Sequence, residues 1–182
     1  MRLRRLQQEF GEHLHIAWRS FLLRPRPDPN RTLEKFRAYT QSWLRPASDP
    51  DGGTFRVWAT DAGPPSYSVP PHLAAKAAAS LGPDAFDRIH ECLLHAYFAE
   101  NRDITDLETL RAVWNEAGLP EAEFGRVADE SLLRKTADEH NEAIEYGVTG
   151  VPAVRMEGRD GLVMGAQPLE LYQRWVKRAL EE

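Results

Sequence analysis

The apolar positions at the start of the chain change from the spacing of a helix to that of a strand. Helical spacing of apolar residues over 3–10 predicts an amphipathic helix that ends at Gly11. Leu14, Ile16 and Trp18 then alternate with more polar neighbours, the period of a strand. Since a proline-rich stretch follows, the chain is predicted to open with a helix, a strand and a turn.

The middle of the chain, from Thr32 to about Ala143, has the periodicity of helices throughout. A loop rich in glycine and proline interrupts it at 46–65. On either side of this loop, apolar residues recur every three or four positions, which predicts buried helix faces. The two clearest stripes are Leu33, Phe36, Thr40 and Trp43, then Phe86, Ile89, Leu93 and Tyr97.

Two later helices have recognisable ends. Thr105 and Glu108 have the spacing of a capping box, which predicts a helix that begins there and ends at Gly118. A second helix is predicted to end at Gly147, because glycine is the usual residue after a helix C-terminus. The residues predicted to face inward on it are Leu133, Ala137, His140 and Ile144.

Beyond Gly147 the periodicity returns to that of strands. A strand over 151–156, a turn at 158–161 and a strand over 162–164 together predict a hairpin. An amphipathic helix closes the chain. Its predicted inward face comprises Leu169, Tyr172, Trp175, Val176 and Leu180.

Composition narrows the class of protein. The chain has 182 residues and a net charge of −5, with no basic stripe after the first few residues, which argues against a nucleic-acid partner. No apolar run is long enough to cross a membrane, so we expect no membrane partner and a cytoplasmic location. Cys92 is the single cysteine, which rules out an intrachain disulfide.

No metal or cofactor site is predicted. His13 and His15 share a strand face, but no further ligand stands at a suitable spacing. The run from Asp138 to His140 has no matching motif on a second helix, so it is interpreted as a polar helix face.

The most informative segment lies between the last inner helix and the hairpin. Pro152 stands at the head of an apolar strand, where it removes a backbone donor. A cis peptide bond that turns the backbone of Val151 toward an extended substrate is one explanation, and an ordinary trans proline on an edge strand is the other. We therefore predict a substrate-binding site at Thr149, Gly150, Val151 and Pro152.

Four segments in order give the chain a family resemblance. They are Trp18-Arg19-Ser20-Phe21-Leu22-Leu23-Arg24-Pro25, the helical stretch 96–106, the loop 147–152 and Gly165-Ala166-Gln167-Pro168. Together they resemble the DsbA family, with the FrnE-like branch as the closer match. The resemblance implies an α/β, thioredoxin-like fold with a large all-helical insertion domain. Residues 1–30 and 145–182 would form the thioredoxin-like domain, and 31–144 the insertion.

The resemblance also implies a Cys-x-x-Cys pair at the start of the first helix, which exchanges disulfides with a bound thiol or peptide. This sequence departs from that pattern, because the chain begins at Met1 already inside the first helix and neither cysteine of the pair is present. Two explanations stay open: the first strand and the pair lie upstream of Met1 in a longer chain, or something else fills their place. No catalytic residue is assigned within the 182 residues, since Cys92 lies far along the chain from the proline loop.

Three functions stay open at this point. The first is a DsbA-type thiol-disulfide oxidoreductase, represented by a chain without its cysteine pair. The second is a non-catalytic module that binds a peptide on the proline loop. The third is a glutathione-linked transferase or isomerase, because the kappa-class glutathione transferases are similar to DsbA in fold. The expected partners are therefore a peptide or a small thiol such as glutathione, and a homodimer that exchanges strands is conceivable.

Overall fold

A computed structural model of the protein describes residues 2–49 and 51–181. Within these ranges most of the ordered backbone is helical. The helices are α1 (Arg2–Phe10), α2 (Leu33–Thr40), α3 (Leu44–Ala47), α4 (Val69–Ala79), α5 (Pro83–Phe98), α6 (Leu107–Glu116), α7 (Glu130–Glu145) and α8 (Leu169–Glu181), with 3-10 helices at Gly11–His13, Gln41–Trp43 and Glu121–Ala128. Among the described helices, none combines the length and the apolar character that a membrane span requires.

The sheet within the described residues is a short antiparallel hairpin. Strand β1 (Ala153–Arg155) pairs with β2 (Leu162–Met164), and Val154 lies opposite Val163. The Gly165 N–H extends the pairing by donating to the Pro152 carbonyl at 2.8 Å. The predicted hairpin is confirmed in place and type, although β1 is shorter than the predicted strand.

Buried apolar side chains form three clusters. The largest joins α4, α5 and α6 to the 3-10 helix Glu121–Ala128, and Ile89, Val113 and Trp114 are fully buried in it. An aromatic cluster around α2 comprises Phe36, Trp43 and Trp58. The third cluster packs α1 and α8 against the hairpin through Leu6, Leu169, Tyr172 and Val176.

The first and last helices cover one side of the hairpin. Leu6 of α1 is buried against Tyr172 and Val176 of α8, and Val154 and Val163 pack on the same cluster. This confirms the predicted helices at both ends of the chain. Leu180 was predicted to face inward and is exposed, because the last turn of α8 extends beyond the hairpin cluster.

Residues 14–18 do not form the predicted strand. Their side chains keep the predicted alternation, with Leu14, Ile16 and Trp18 half-buried and His13 and His15 exposed. A strand needs a neighbour for its backbone hydrogen bonds, and none of the described segments pairs with this one. The period of the pattern was therefore right and the assignment to a sheet was wrong.

The capping residue of α6 is one position later than predicted. Asp106, and not Thr105, accepts a hydrogen bond from the Thr109 N–H at 2.8 Å and begins the helix. The Thr105 hydroxyl instead donates to Asp103 at 2.6 Å. A carboxylate is as good a cap as a hydroxyl, so two adjacent capping residues left the sequence ambiguous by one position.

The buried face of α7 also differs from the prediction. Leu133 and Ile144, expected to face inward, are exposed, and the buried residues are Thr136 and Glu139. The helix packs against α4, where Lys76 forms an ion pair with Glu139. Since a carboxylate paired with a lysine can be buried, hydrophobic periodicity alone gave the wrong face.

The expected division of the chain into 1–30 with 145–182 and 31–144 stays a prediction. The third cluster is built from residues of the first and last segments, whereas the first two clusters are built from the middle.

Candidate functional site

The predicted substrate loop begins where α7 ends. Gly147 has a φ of +82°, a conformation in which residues with a side chain are strained. This turn lets the Gly147 N–H donate to the Ile144 carbonyl at 2.8 Å and the Val148 N–H donate to the Ala143 carbonyl at 2.9 Å. Both bonds belong to the glycine-terminated helix end. The side chain of Val148 is then buried, so the start of the loop is anchored.

The next four residues present the loop to solvent. Thr149, Val151 and Pro152 are exposed, and Gly150 is half-buried. The peptide bond between Val151 and Pro152 is cis, one of the two geometries that the sequence left open. The structure thus places all four predicted site residues on one exposed segment between α7 and β1.

Val151 is the most informative member of this loop. It is 52% exposed and lies open to solvent just before the first strand. Among the described residues, neither its N–H nor its carbonyl has a hydrogen-bond partner. An exposed backbone with a free donor and a free acceptor is the arrangement to which an extended peptide can add as a strand.

An aromatic contact joins the two ends of the loop. The Tyr146 ring at the end of α7 lies under the guanidinium of Arg155 in β1, with 3.8 Å between the Arg155 Cζ and the ring centre. Sequence reasoning missed this pair, because two residues on different elements give no periodic signal. The contact fixes the base of the loop without covering its exposed residues.

A buried polar cluster lies between α4, α7 and residues 19–22. Glu139 is 5% exposed and forms an ion pair with Lys76, while the Ser20 N–H donates to its Oε2 at 2.7 Å. The Leu22 N–H donates to the Nδ1 of His140 at 3.2 Å. The interpretation of 138–140 as a polar surface was therefore wrong for Glu139, whose charge is buried because Lys76 neutralises it.

The ionisation of this cluster follows from its burial and its partners. Burial alone would raise the pKa of Glu139, but Lys76 and the Ser20 N–H outweigh it and hold that pKa below its ordinary value. His72 lies beside the same groups. Burial, together with the Lys76 ammonium, lowers its pKa to about 4, so His72 is neutral at pH 7.

Cys92 does not have the environment of a reactive thiol. It lies on α5 at the edge of the largest core cluster, half-buried. Burial and the nearby Glu116 raise the pKa of the thiol, so little thiolate is present at neutral pH. This is the position of an apolar residue at the edge of the core.

Metal-ligating side chains are dispersed over the part of the chain that the structure describes. Within 2–49 and 51–181, no group of three His, Cys, Asp or Glu residues is close enough to hold an ion. His13 and His15 are both exposed.

Comparison with known proteins places this geometry in a family. The family described as DSBA-like thioredoxin domain matches residues 1–177. A search of curated proteins gives no significant match.

Two solved structures have the same fold. A protein from Nitrosomonas europaea, described as a "putative protein disulfide isomerase", is 16% identical with a TM-score of 0.78, and the match covers 99% of this chain and 88% of that one. The cytosolic disulfide reductase DsbM from Pseudomonas aeruginosa is 20% identical with a TM-score of 0.70, over 99% and 90% of the two chains. Their similarity in shape and the family match over nearly the whole chain agree, and the protein belongs to the family of DSBA-like thioredoxin domains.

Proposed function

We propose that the protein binds an extended peptide or a small thiol on the loop from Thr149 to Pro152, as a member of a thiol-disulfide oxidoreductase family. The observation that carries this proposal is the exposed Val151, whose backbone donor and acceptor are free among the described residues. The anchored Val148 and the contact between Tyr146 and Arg155 support it, because a loop held at both ends loses little freedom on binding.

Disulfide exchange itself needs two thiols. One thiolate attacks a substrate disulfide to form a mixed disulfide, and a second thiol releases the reduced substrate and leaves the pair oxidised. The 182 residues contain Cys92 alone, so they supply the binding loop and not this pair. The raised pKa of Cys92 favours a second candidate, a module that binds peptides without a redox step.

Reduction of insulin by dithiothreitol separates the two candidates. If the 182 residues act only in binding, insulin precipitates no faster than with dithiothreitol alone. A faster rate that persists after Cys92→Ser would show an effect other than thiol chemistry, because that variant has no cysteine. A rate lost in C92S would show that Cys92 is the active thiol.

A matched pair of variants tests the binding site. Val151→Asp places a charge where the proposed peptide would lie. We expect the affinity for a neutral peptide that contains an S-methylcysteine to fall about tenfold or more, because apolar contact and strand pairing are lost. Leu107→Asp is the control, since Leu107 is 53% exposed at the start of α6. The assay is fluorescence anisotropy of the labelled peptide. Equal affinities of V151D and the parent protein would exclude this loop as the site.

Location and assembly belong to the same proposal. We propose a cytoplasmic location, supported by the similarity in fold to a disulfide reductase described as cytosolic. The net charge of −5 supports a peptide or thiol partner over nucleic acid. The mass in solution, measured by light scattering, tests whether the conceivable homodimer forms, which a monomeric mass would exclude.

A further inference from the structure

The side chain of Arg155 is held in an orientation suited to bind an anion. Its guanidinium lies over the Tyr146 ring at 3.8 Å, which is stacking distance. Tyr146 is itself 45% exposed, so the pair lies at the surface and not in the core. Stacking occupies the face of the guanidinium plane and leaves its N–H edges free, and these edges form paired hydrogen bonds with carboxylates.

Within the part of the chain that the structure describes, no carboxylate pairs with these edges of Arg155. Other arginines have such partners, as where Arg111 binds Glu121 at 2.7 Å and Arg102 binds Glu116 at 2.9 Å. An ordered cation without a carboxylate partner is available for a ligand, and the stack has already removed part of the side-chain entropy that binding would cost.

The position of Arg155 relates it to the proposed binding loop. It follows Val151 by four residues, and four extended residues span at most about 14 Å. A bound peptide of about five residues is about 17 Å long, so one centred on Val151 extends about 8 Å to either side. The long side chains of Arg155 and of a flanking residue of the ligand can cover the remaining distance.

We propose that Arg155, oriented by Tyr146, is a specificity residue. It selects ligands in which a carboxylate lies near the ligand's own sulfur-bearing residue. This inference rests on the proposed binding at Thr149–Pro152 and adds the chemistry of the preferred ligand. The carboxylate can belong to an acidic peptide or to a small acidic thiol such as glutathione. Lysine-rich ligands are disfavoured, because they would place a like charge beside Arg155.

The test measures the binding of four probes to the full chain. Three labelled peptides of about five residues carry a central S-methylcysteine, flanked by glutamates, by lysines or by glutamines. The fourth probe is S-methylglutathione, which competes with the glutamine peptide. At low ionic strength we expect the glutamate peptide to bind about threefold to tenfold more tightly than the lysine peptide, because charge pairs at the surface contribute only modestly to binding.

Variants assign this preference to the stacked pair. Arg155→Gln should abolish the preference for glutamate over lysine, whereas any loosening of the loop base should lower the affinity for all three peptides alike. Tyr146→Leu should reduce the preference, because the guanidinium loses its support. Arg174→Gln, an exposed arginine on α8, should leave the preference intact.

The outcomes separate this inference from the proposal on which it rests. Binding of all three peptides with equal affinity would overturn the role of Arg155 and leave the loop as a binding site. Failure of every probe to bind would overturn both. A preference for glutamate that survives in R155Q would also contradict the inference. If S-methylglutathione competes with the glutamine peptide and competes less well in R155Q, the inference is supported with a small thiol as the ligand.

Discussion

Two half-buried histidines are uncharged at neutral pH beside the segment that leads from residue 14 to 22. His72 lies near the backbone of Phe21. The centre of the His90 ring lies 4.9 Å from that of the Trp18 ring and 5.3 Å from that of the Phe86 ring. In both cases burial is the main reason that the pKa falls from 6.5 to about 4, and a nearby cation, Lys76 or Arg4, adds to it. A proton gained by either side chain would place a charge in a poorly solvated site beside a cation.

Stability should therefore decrease in mild acid. In the unfolded chain these histidines bind protons near pH 6.5, while in the folded chain they do so near pH 4. Their contribution is present in full above pH 6.5 and is lost as the pH falls toward 4, by at most about 3 kcal/mol for each histidine. Urea unfolding at several pH values between these limits measures the change.

Variants identify the groups responsible. His90→Gln should weaken the pH dependence between these limits, because one of the two shifted groups is gone. His13→Gln removes an exposed histidine and should leave the dependence unchanged. If H90Q and the parent protein lost stability in parallel over this range, the buried neutral state of His90 would be wrong.

At the scale of elements, the pair of Lys76 and Glu139 fastens α4 to α7. The Lys76 side chain is 12% exposed, and Glu139 also accepts the Ser20 N–H and lies 3.5 Å from Arg19. One carboxylate thus connects two helices and the irregular segment before Phe21. Removing its main partner leaves a charge that water reaches poorly.

Lys76→Met should destabilise the protein strongly. We expect the free energy of unfolding to fall by about 3 kcal/mol, the scale for breaking one side of a buried ion pair. The double variant K76M/E139Q should recover part of this loss, because glutamine is neutral and still accepts the Ser20 N–H. The measurement is equilibrium urea unfolding of K76M, E139Q and the double variant.

An exposed pair on the same helix provides the control. Arg134 and Glu130 lie 3.4 Å apart and are both exposed, so Arg134→Met should change the stability by less than about 0.5 kcal/mol. A loss in K76M as small as that in R134M would show that the charge of Glu139 does not depend on Lys76.

The same elements show how far sequence reasoning reaches. The helices at 2–10 and 169–181 and the hairpin could be predicted, because each buries one face and the apolar period records that face. The buried face of α7 could not be predicted, because it contains Glu139. This carboxylate can be buried only because Lys76, distant in the sequence, pairs with it. Likewise, alternation at 14–18 reports which side is buried and says nothing about a neighbouring strand.

For the whole molecule, charged contacts join the beginning of the chain to its middle. Arg2 of α1 binds Asp49 at 2.5 Å, and Arg4 pairs with Glu91 of α5. These contacts connect the cluster of α1, α8 and the hairpin to the helices of the central part. The proposed binding loop belongs to the hairpin side, immediately after the end of α7.

The candidate site was partly predictable at this scale. The exposure of the loop 149–152 could be predicted because glycines and a proline between a helix and a strand mark an exposed turn, and its role in binding stays a prediction. The stacking of Arg155 on Tyr146 depends on how the hairpin returns past the end of α7, which is a three-dimensional relation that no sequence spacing records.

The central claim is that a ligand binds at the loop between α7 and β1. The most direct measurement is a map of backbone amide chemical shifts of the 182-residue protein during titration with the neutral S-methylcysteine peptide. We predict that the largest changes lie at Thr149, Gly150 and Val151 and extend to Arg155. Changes concentrated elsewhere, or no changes at saturating peptide, would contradict the account.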